Sequence, residues 1–90
     1  MRTANLIGEA LGHELIFLKL PTGEVVMLVA HGLWLVSELK DLIAARTAIL
    51  PQDQHLRFRG RALQDYDTLA ERGVQRGGAL ELGCRPALGV

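Results

Sequence analysis

Apolar and polar positions along this chain fall into a strand–turn–strand unit, one helix and three further extended pieces. In "LIFLKL" (15–20), Ile16 and Leu18 alternate with Phe17 and Lys19, the two-residue period of a strand. "PTGE" supplies turn residues, with Gly23 free to take positive φ, and "VVMLVA" (25–30) follows with Val26, Leu28 and Ala30 on one face. Two such runs around a short glycine-containing turn predict a β-hairpin. In "LVSELKDLIAAR" (35–46), Val36, Leu39 and Ile43 fall at i, i+3 and i+7, which predicts a helix with one buried face. Glu38 and Asp41 near its start and Arg46 near its end suit the helix dipole, and Pro51 closes the segment.

The period of two returns in "HLRFRG" (55–60), with Leu56 and Phe58 inward, His55 and Arg57 outward, and Gly60 allowing a tight turn. A short "RAL", the turn-rich "QDYD", "TLAERGV" and a last strand "ALELGC" complete the chain. The order predicts an α+β fold in which one helix covers one face of a sheet. Ahead of it, Leu6, Ile7 and Leu11 give at most two amphipathic turns broken by glycines, too short for a stable isolated helix. Residues 1–13 are therefore expected to be a mobile leader, 14–85 the domain and 86–90 a flexible tail.

Composition narrows the class. Ninety residues make one domain. Ten basic residues balance ten acidic ones, which argues against a chain drawn as a whole onto nucleic acid or membrane. Cys84 is the only cysteine, so no internal disulfide and no thiolate cluster can form, as in a reducing compartment. No apolar run approaches the roughly 18 residues of a membrane span. Cytoplasm or nucleus is the expected location.

"IFLKLPTGE" resembles the first hairpin of ubiquitin, and "ILPQDQHLRFRGRALQDYDTLAERGVQRGGALEL" resembles its second half. The likeness runs without a gap from about Leu15 to Arg85, and "G-x-x-L-x-D-x-x-T-L" is its most specific part. It implies the ubiquitin-like β-grasp, a mixed sheet wrapped on one α-helix. Its core positions fall on Ile16, Leu18, Val26, Leu28, Ala30, Val36, Leu39, Ile43, Leu56, Leu63, Leu69, Val74, Leu80 and Leu82. The departures bear on function. The aliphatic receptor patch of ubiquitin is replaced by Pro21, Arg57 and Gly83, and its neighbouring histidine by Glu81. Losing such anchors costs several kcal/mol, about the worth of a few interface side chains. Two chain-forming lysines align with Arg61 and Arg76, whose guanidinium cannot serve as an attacking amine. The resemblance thus implies a divergent ubiquitin-like domain, not ubiquitin itself.

Strand alternation puts His55 and Arg57 outward, and the likeness places Lys19, Arg61 and Arg85 around them, with Glu81 among them and Arg59 at the turn. A solvated face without a partner and a docking face for an acidic protein compete here; complementary charge sets on-rate and partner choice. Nucleic-acid binding is disfavoured, since stacking platforms need exposed aromatics and Phe58 points inward. The expected partner-binding set is Lys19, Pro21, His55, Arg57, Arg61, Glu81, Gly83 and Arg85. In "GLWLV" (32–36) the hydroxyl cap of the helix is missing, a loss of about 1 kcal/mol. Trp34 is expected to fold over the helix end or under residues 1–13, and Leu33 with Trp34 form a secondary contact site.

The "RGG" at 76–78 precedes core Leu80 and Leu82, so it reads as a turn, not a conjugation tail. In the tail "CRPALGV", Gly89 aligns with ubiquitin's terminal glycine but Leu88 replaces the penultimate one. A modifier joined through Gly89 after removal of Val90 is the alternative reading. Enzyme chemistry finds no support: Ser37 and Cys84 have no assignable histidine, and His13, His31 and His55 lack metal-ligand spacing. No catalytic residue, metal, cofactor or small-molecule substrate is expected, and the chain is expected to be a monomeric adaptor module of the ubiquitin–proteasome system or a part of a larger protein.

Overall fold

The computed structural model describes residues 13–84. Five strands, β1 (His13–Lys19), β2 (Val25–His31), β3 (Gln54–Phe58), β4 (Arg61–Ala62) and β5 (Ala79–Cys84), accompany one helix, α1 (Val36–Thr47), and a 3-10 turn at Pro51–Asp53. The sheet runs β2-β1-β5-β3-β4. β1 and β5 lie parallel at its centre, and every other pair is antiparallel. A mixed sheet wrapped on a single helix is the β-grasp arrangement expected above. The expected leader and tail fall, but for His13 at the start of β1, outside the described residues, as do Arg85, Gly89 and Val90.

Turns close where the backbone can reverse. Leu20 N–H donates to Glu24 C=O at 2.7 Å, with Gly23 at φ 94° completing the β1–β2 hairpin. Between β3 and β4, Arg59 (φ 54°) and Gly60 (φ 79°) both occupy the left-handed region. That pair is a primed two-residue turn, natural for glycine and strained for arginine. The "RGG" segment is a turn, as expected: Gly77 N–H donates to Leu15 C=O at 2.8 Å, and Gly78 C=O accepts from Phe17 N–H at 2.8 Å.

The core is that implied by the pattern, with one adjustment. Ile16, Leu18, Leu28, Ala30, Val36, Leu39, Ile43, Leu56, Leu63, Leu69, Val74, Leu80 and Leu82 are buried, Phe58 joins them, and Val26 packs at the border. The helix buries Lys40 as well, at i+4 from Val36, so its inner face is wider than its apolar residues show. The Lys40 stem lies along the core while its Nζ reaches Asp65 Oδ1 at 2.6 Å.

The missing cap has a tertiary replacement. Leu35 carries no side-chain oxygen, so only the return half of a capping box forms: Leu35 N–H donates to Glu38 Oε1 at 2.7 Å. The 65–67 loop supplies the rest. Val36 N–H donates to Asp67 C=O at 2.8 Å and Ser37 N–H to Asp65 C=O at 3.1 Å, which satisfies two helix-start donors without a hydroxyl.

Candidate protein-docking face

Across the open face of the sheet, the registers align side chains in rows. One row reads Val25, Lys19, Glu81, Arg57 and Ala62, from β2 through β1, β5 and β3 to β4. The next reads Met27, Phe17 and Ala79, and a third pairs Val29 with Leu15. Gly83 stands opposite His55 on the other side of the charged row. The face thus has a charged half, from Lys19 at the end of β1 across β5 to β3, and an apolar half over the rest of β1 and β2.

The charged half holds most of the residues expected at the site. Lys19, His55, Arg57, Glu81 and Gly83 line one shallow depression of about 450 Å³ together with Leu20, Leu82 and Cys84. Gly83 keeps it open, because no side chain projects there above His55. Glu81 lies between Lys19 and Arg57 in its row, yet no ion pair within 4 Å joins it to either among the described residues. The row therefore carries two cations and one anion, all exposed. Opposite charges on neighbouring strands are mutually stabilising by a few tenths of a kcal/mol, about the worth of an exposed cross-strand pair.

Two expected members sit elsewhere, and a third is not among the described residues. Arg61 pairs with Phe58, not Arg57, and lines a separate groove with Arg59, Glu71 and Arg72. Pro21 is exposed in the hairpin turn beside Thr22, Val26, Arg46 and Ile49. Arg85 lies outside the described residues. Arg59, held over the Phe58 ring with 5.2 Å from guanidinium carbon to ring centroid, stays with its own strand end.

The loop at 32–35 is pinned. Leu69 N–H donates to Trp34 C=O at 3.0 Å, Ala70 N–H to Gly32 C=O at 2.8 Å, and Leu33 N–H to His31 Nδ1 at 2.9 Å. Trp34 is half-buried and packs against the core, so its neighbour Leu33, 72% exposed, is the most prominent apolar contact of this loop, ahead of Leu35 at 39%. Trp34 packs against the core cluster; residues 1–12, one of the two covers expected for it, lie outside the described residues.

Two features were not read from the sequence. Gln54, 1% exposed, is the inward residue preceding His55, and its Nε2 donates to Lys40 C=O and Ile49 C=O, both at 2.9 Å. It ties β3 to the helix and so sets where His55 and Arg57 emerge. Nothing in a lone glutamine announces this. The apolar half of the face did leave a signal: "VVMLVA" is apolar at both parities, which a strand solvated on one face is not. Val25, Met27 and Val29 are accordingly exposed.

A mixed sheet clasping one helix, its other face open and shallow, places the chain in the β-grasp class; among the described residues no cluster of His, Cys, Asp and Glu could hold a metal. The model of the Ubiquitin family matches residues 16–87, and the chain belongs to that family. It is a non-catalytic ubiquitin-like domain that mediates protein–protein interaction. No helix among the described residues is long and apolar enough to cross a membrane.

Proposed function

We propose that this domain is an adaptor module of the ubiquitin system that docks acidic protein partners on its open sheet face, centred on Arg57. The observation that supports it is the row Lys19–Glu81–Arg57 beside the depression opened by Gly83. Where ubiquitin offers an aliphatic patch, this chain offers two cations within one strand spacing of a single acid. Such a surface favours carboxylate-bearing partners and raises their on-rate. Leu33, on the pinned loop, is a secondary contact. The free, exposed Cys84 accords with a reducing compartment, cytoplasm or nucleus.

Partner capture from a cell lysate by the wild type and by Arg57→Glu tests the reading. Arg57 is exposed, so the fold tolerates the reversal. Loss of a set of partners that also dissociates from the wild type as salt rises is the expected outcome. An unchanged partner list would refute the charged face as the working surface.

A further inference from the structure

The β3–β4 end of the sheet carries a second charged feature, apart from the Lys19–Glu81–Arg57 row. Arg59, Arg61 and Arg72 line one groove of about 240 Å³, backed by the buried side chains of Phe58 and Leu63. Glu71 is the one carboxylate among its lining residues, and its Oε1 already accepts from Thr68 N–H at 2.9 Å. Asp67, which is not in the lining, stands 3.6 Å from Arg72 Nε and holds that half-buried side chain in place. Arg59 and Arg61 have no carboxylate within 4 Å among the described residues. Two guanidinium groups therefore line the groove without a paired counter-charge.

The turn itself does not ask for these charges. Arg59 sits at φ 54°, a left-handed position that glycine or asparagine occupies at less cost. Its guanidinium is nevertheless laid over the Phe58 ring, 5.2 Å from the centroid, so its orientation is set before any ligand arrives. A side chain kept on an unfavourable backbone, held by an aromatic ring and lacking an anion, is the pattern of a binding group. At Gly73 a Cβ would meet nothing within 4 Å, so the rim of the groove is open on that side.

We infer that this groove binds a phosphomonoester, the phosphorylated side chain of a protein partner. Charge and geometry select it. Such a group brings a charge of about −1.5 to −2 and three acceptor oxygens, enough to engage two unpaired guanidinium forks at once. A carboxylate brings a single charge and leaves one fork unmatched. A nucleic-acid backbone also brings a single charge at each phosphate, and the ring at the groove, Phe58, is buried and cannot stack on a base. The source is a protein because the domain works through protein contact. The groove serves this purpose with or without the row around Arg57.

The test uses the full 90-residue chain, immobilised, and short degenerate peptide pools with a central phosphoserine, glutamate or serine. Phosphoserine peptides should be retained. The best of them should bind at least tenfold tighter than its glutamate and serine versions and than inorganic phosphate, with NMR shifts at Arg59, Arg61 and Arg72. Arg59→Gly and Arg61→Gln should each weaken it at least fivefold, with urea midpoints no lower than that of the wild type. Arg46→Gln, at an exposed position outside the groove, should leave binding unchanged. Equal loss in all three variants would reduce the effect to net charge and overturn the site. Glutamate peptides binding as tightly would overturn the phosphate. Inorganic phosphate binding as tightly would assign the groove to the free anion and overturn the protein source. Shifts confined to Lys19 and Arg57 would move binding to the docking face proposed above and overturn the groove, as would retention of no phosphoserine peptide at all.

Discussion

Replacing Gln54 by glutamate isolates the buried side-chain contact that joins β3 to the helix among the described residues. In the native chain the amide orientation is dictated by its surroundings, because two carbonyl acceptors lie 2.9 Å from Nε2 and only an NH₂ group can serve both. Its Oε1 is buried with no hydrogen-bond partner. A glutamate places a carboxylate where two donors stood. The loss is about 2 kcal/mol for the two hydrogen bonds. Holding an unpaired charge there adds about 3 kcal/mol or more. A domain of this size has total stability on the order of 4–10 kcal/mol, so the variant should be partly or wholly unfolded at pH 7. The sign with pH follows from the same geometry. The two carbonyls and the burial raise the folded-state pKa of the new carboxyl above its unfolded value of about 4.3. The folded state then binds the proton more tightly, so stability is retained below about pH 4.3 and falls as pH rises toward the folded pKa, by about 1.4 kcal/mol per pH unit. Even protonated, the acid offers one O–H for two carbonyls, so recovery is incomplete. Urea unfolding from pH 4 to 7.5, with Gln54→Met as the uncharged control of similar volume, reads all of this. Gln54→Met should cost about 1–2 kcal/mol relative to the wild type at every pH, because it also removes the orphaned Oε1. If Gln54→Glu stayed within 1 kcal/mol of the wild type at pH 7, or showed the same deficit at pH 4, the reasoning would fail.

Other outcomes follow from the same geometry. Arg59→Asn or Arg59→Gly should raise stability by about 0.5–1 kcal/mol in urea melts, since a left-handed φ suits these residues better than arginine, less whatever the Phe58 contact contributes. Leu35→Thr, which restores a hydroxyl before the helix, should gain less than about 0.5 kcal/mol, below the usual value of a cap. The carbonyls of Asp65 and Asp67 already take the N–H groups of Ser37 and Val36. Gly78→Ala should destabilise by about 1–3 kcal/mol through overpacking, because a Cβ there would stand 2.9 Å from Gln75 C=O and 3.3 Å from the Phe58 ring; a neutral result in thermal denaturation would show that the turn relaxes freely.

The elements, their order and the inner face of each were legible in the sequence, because burial on one side of a strand or helix imposes a period on the apolar residues. Ile16 and Leu18, Leu56 and Phe58, and Val36, Leu39 and Ile43 all announce their own direction. The family likeness was legible for the same reason, with "RGRALQDYDTL" adding its turn chemistry. Outward residues carry no such signal. Lys19, Glu81 and Arg57 lie far apart in the chain and become neighbours only because β5 inserts between β1 and β3. Arg61 illustrates the reverse: a two-residue turn sets it opposite Phe58 and away from Arg57. Lys40 and Gln54 look like surface residues until Asp65 reaches the one and the carbonyls of Lys40 and Ile49 hold the other. The missing helix cap looked like a weakness until a distant loop supplied the acceptors. Periodicity is a local consequence of burial and can be read along the chain, whereas pairing between segments depends on register across the sheet, which tertiary packing decided.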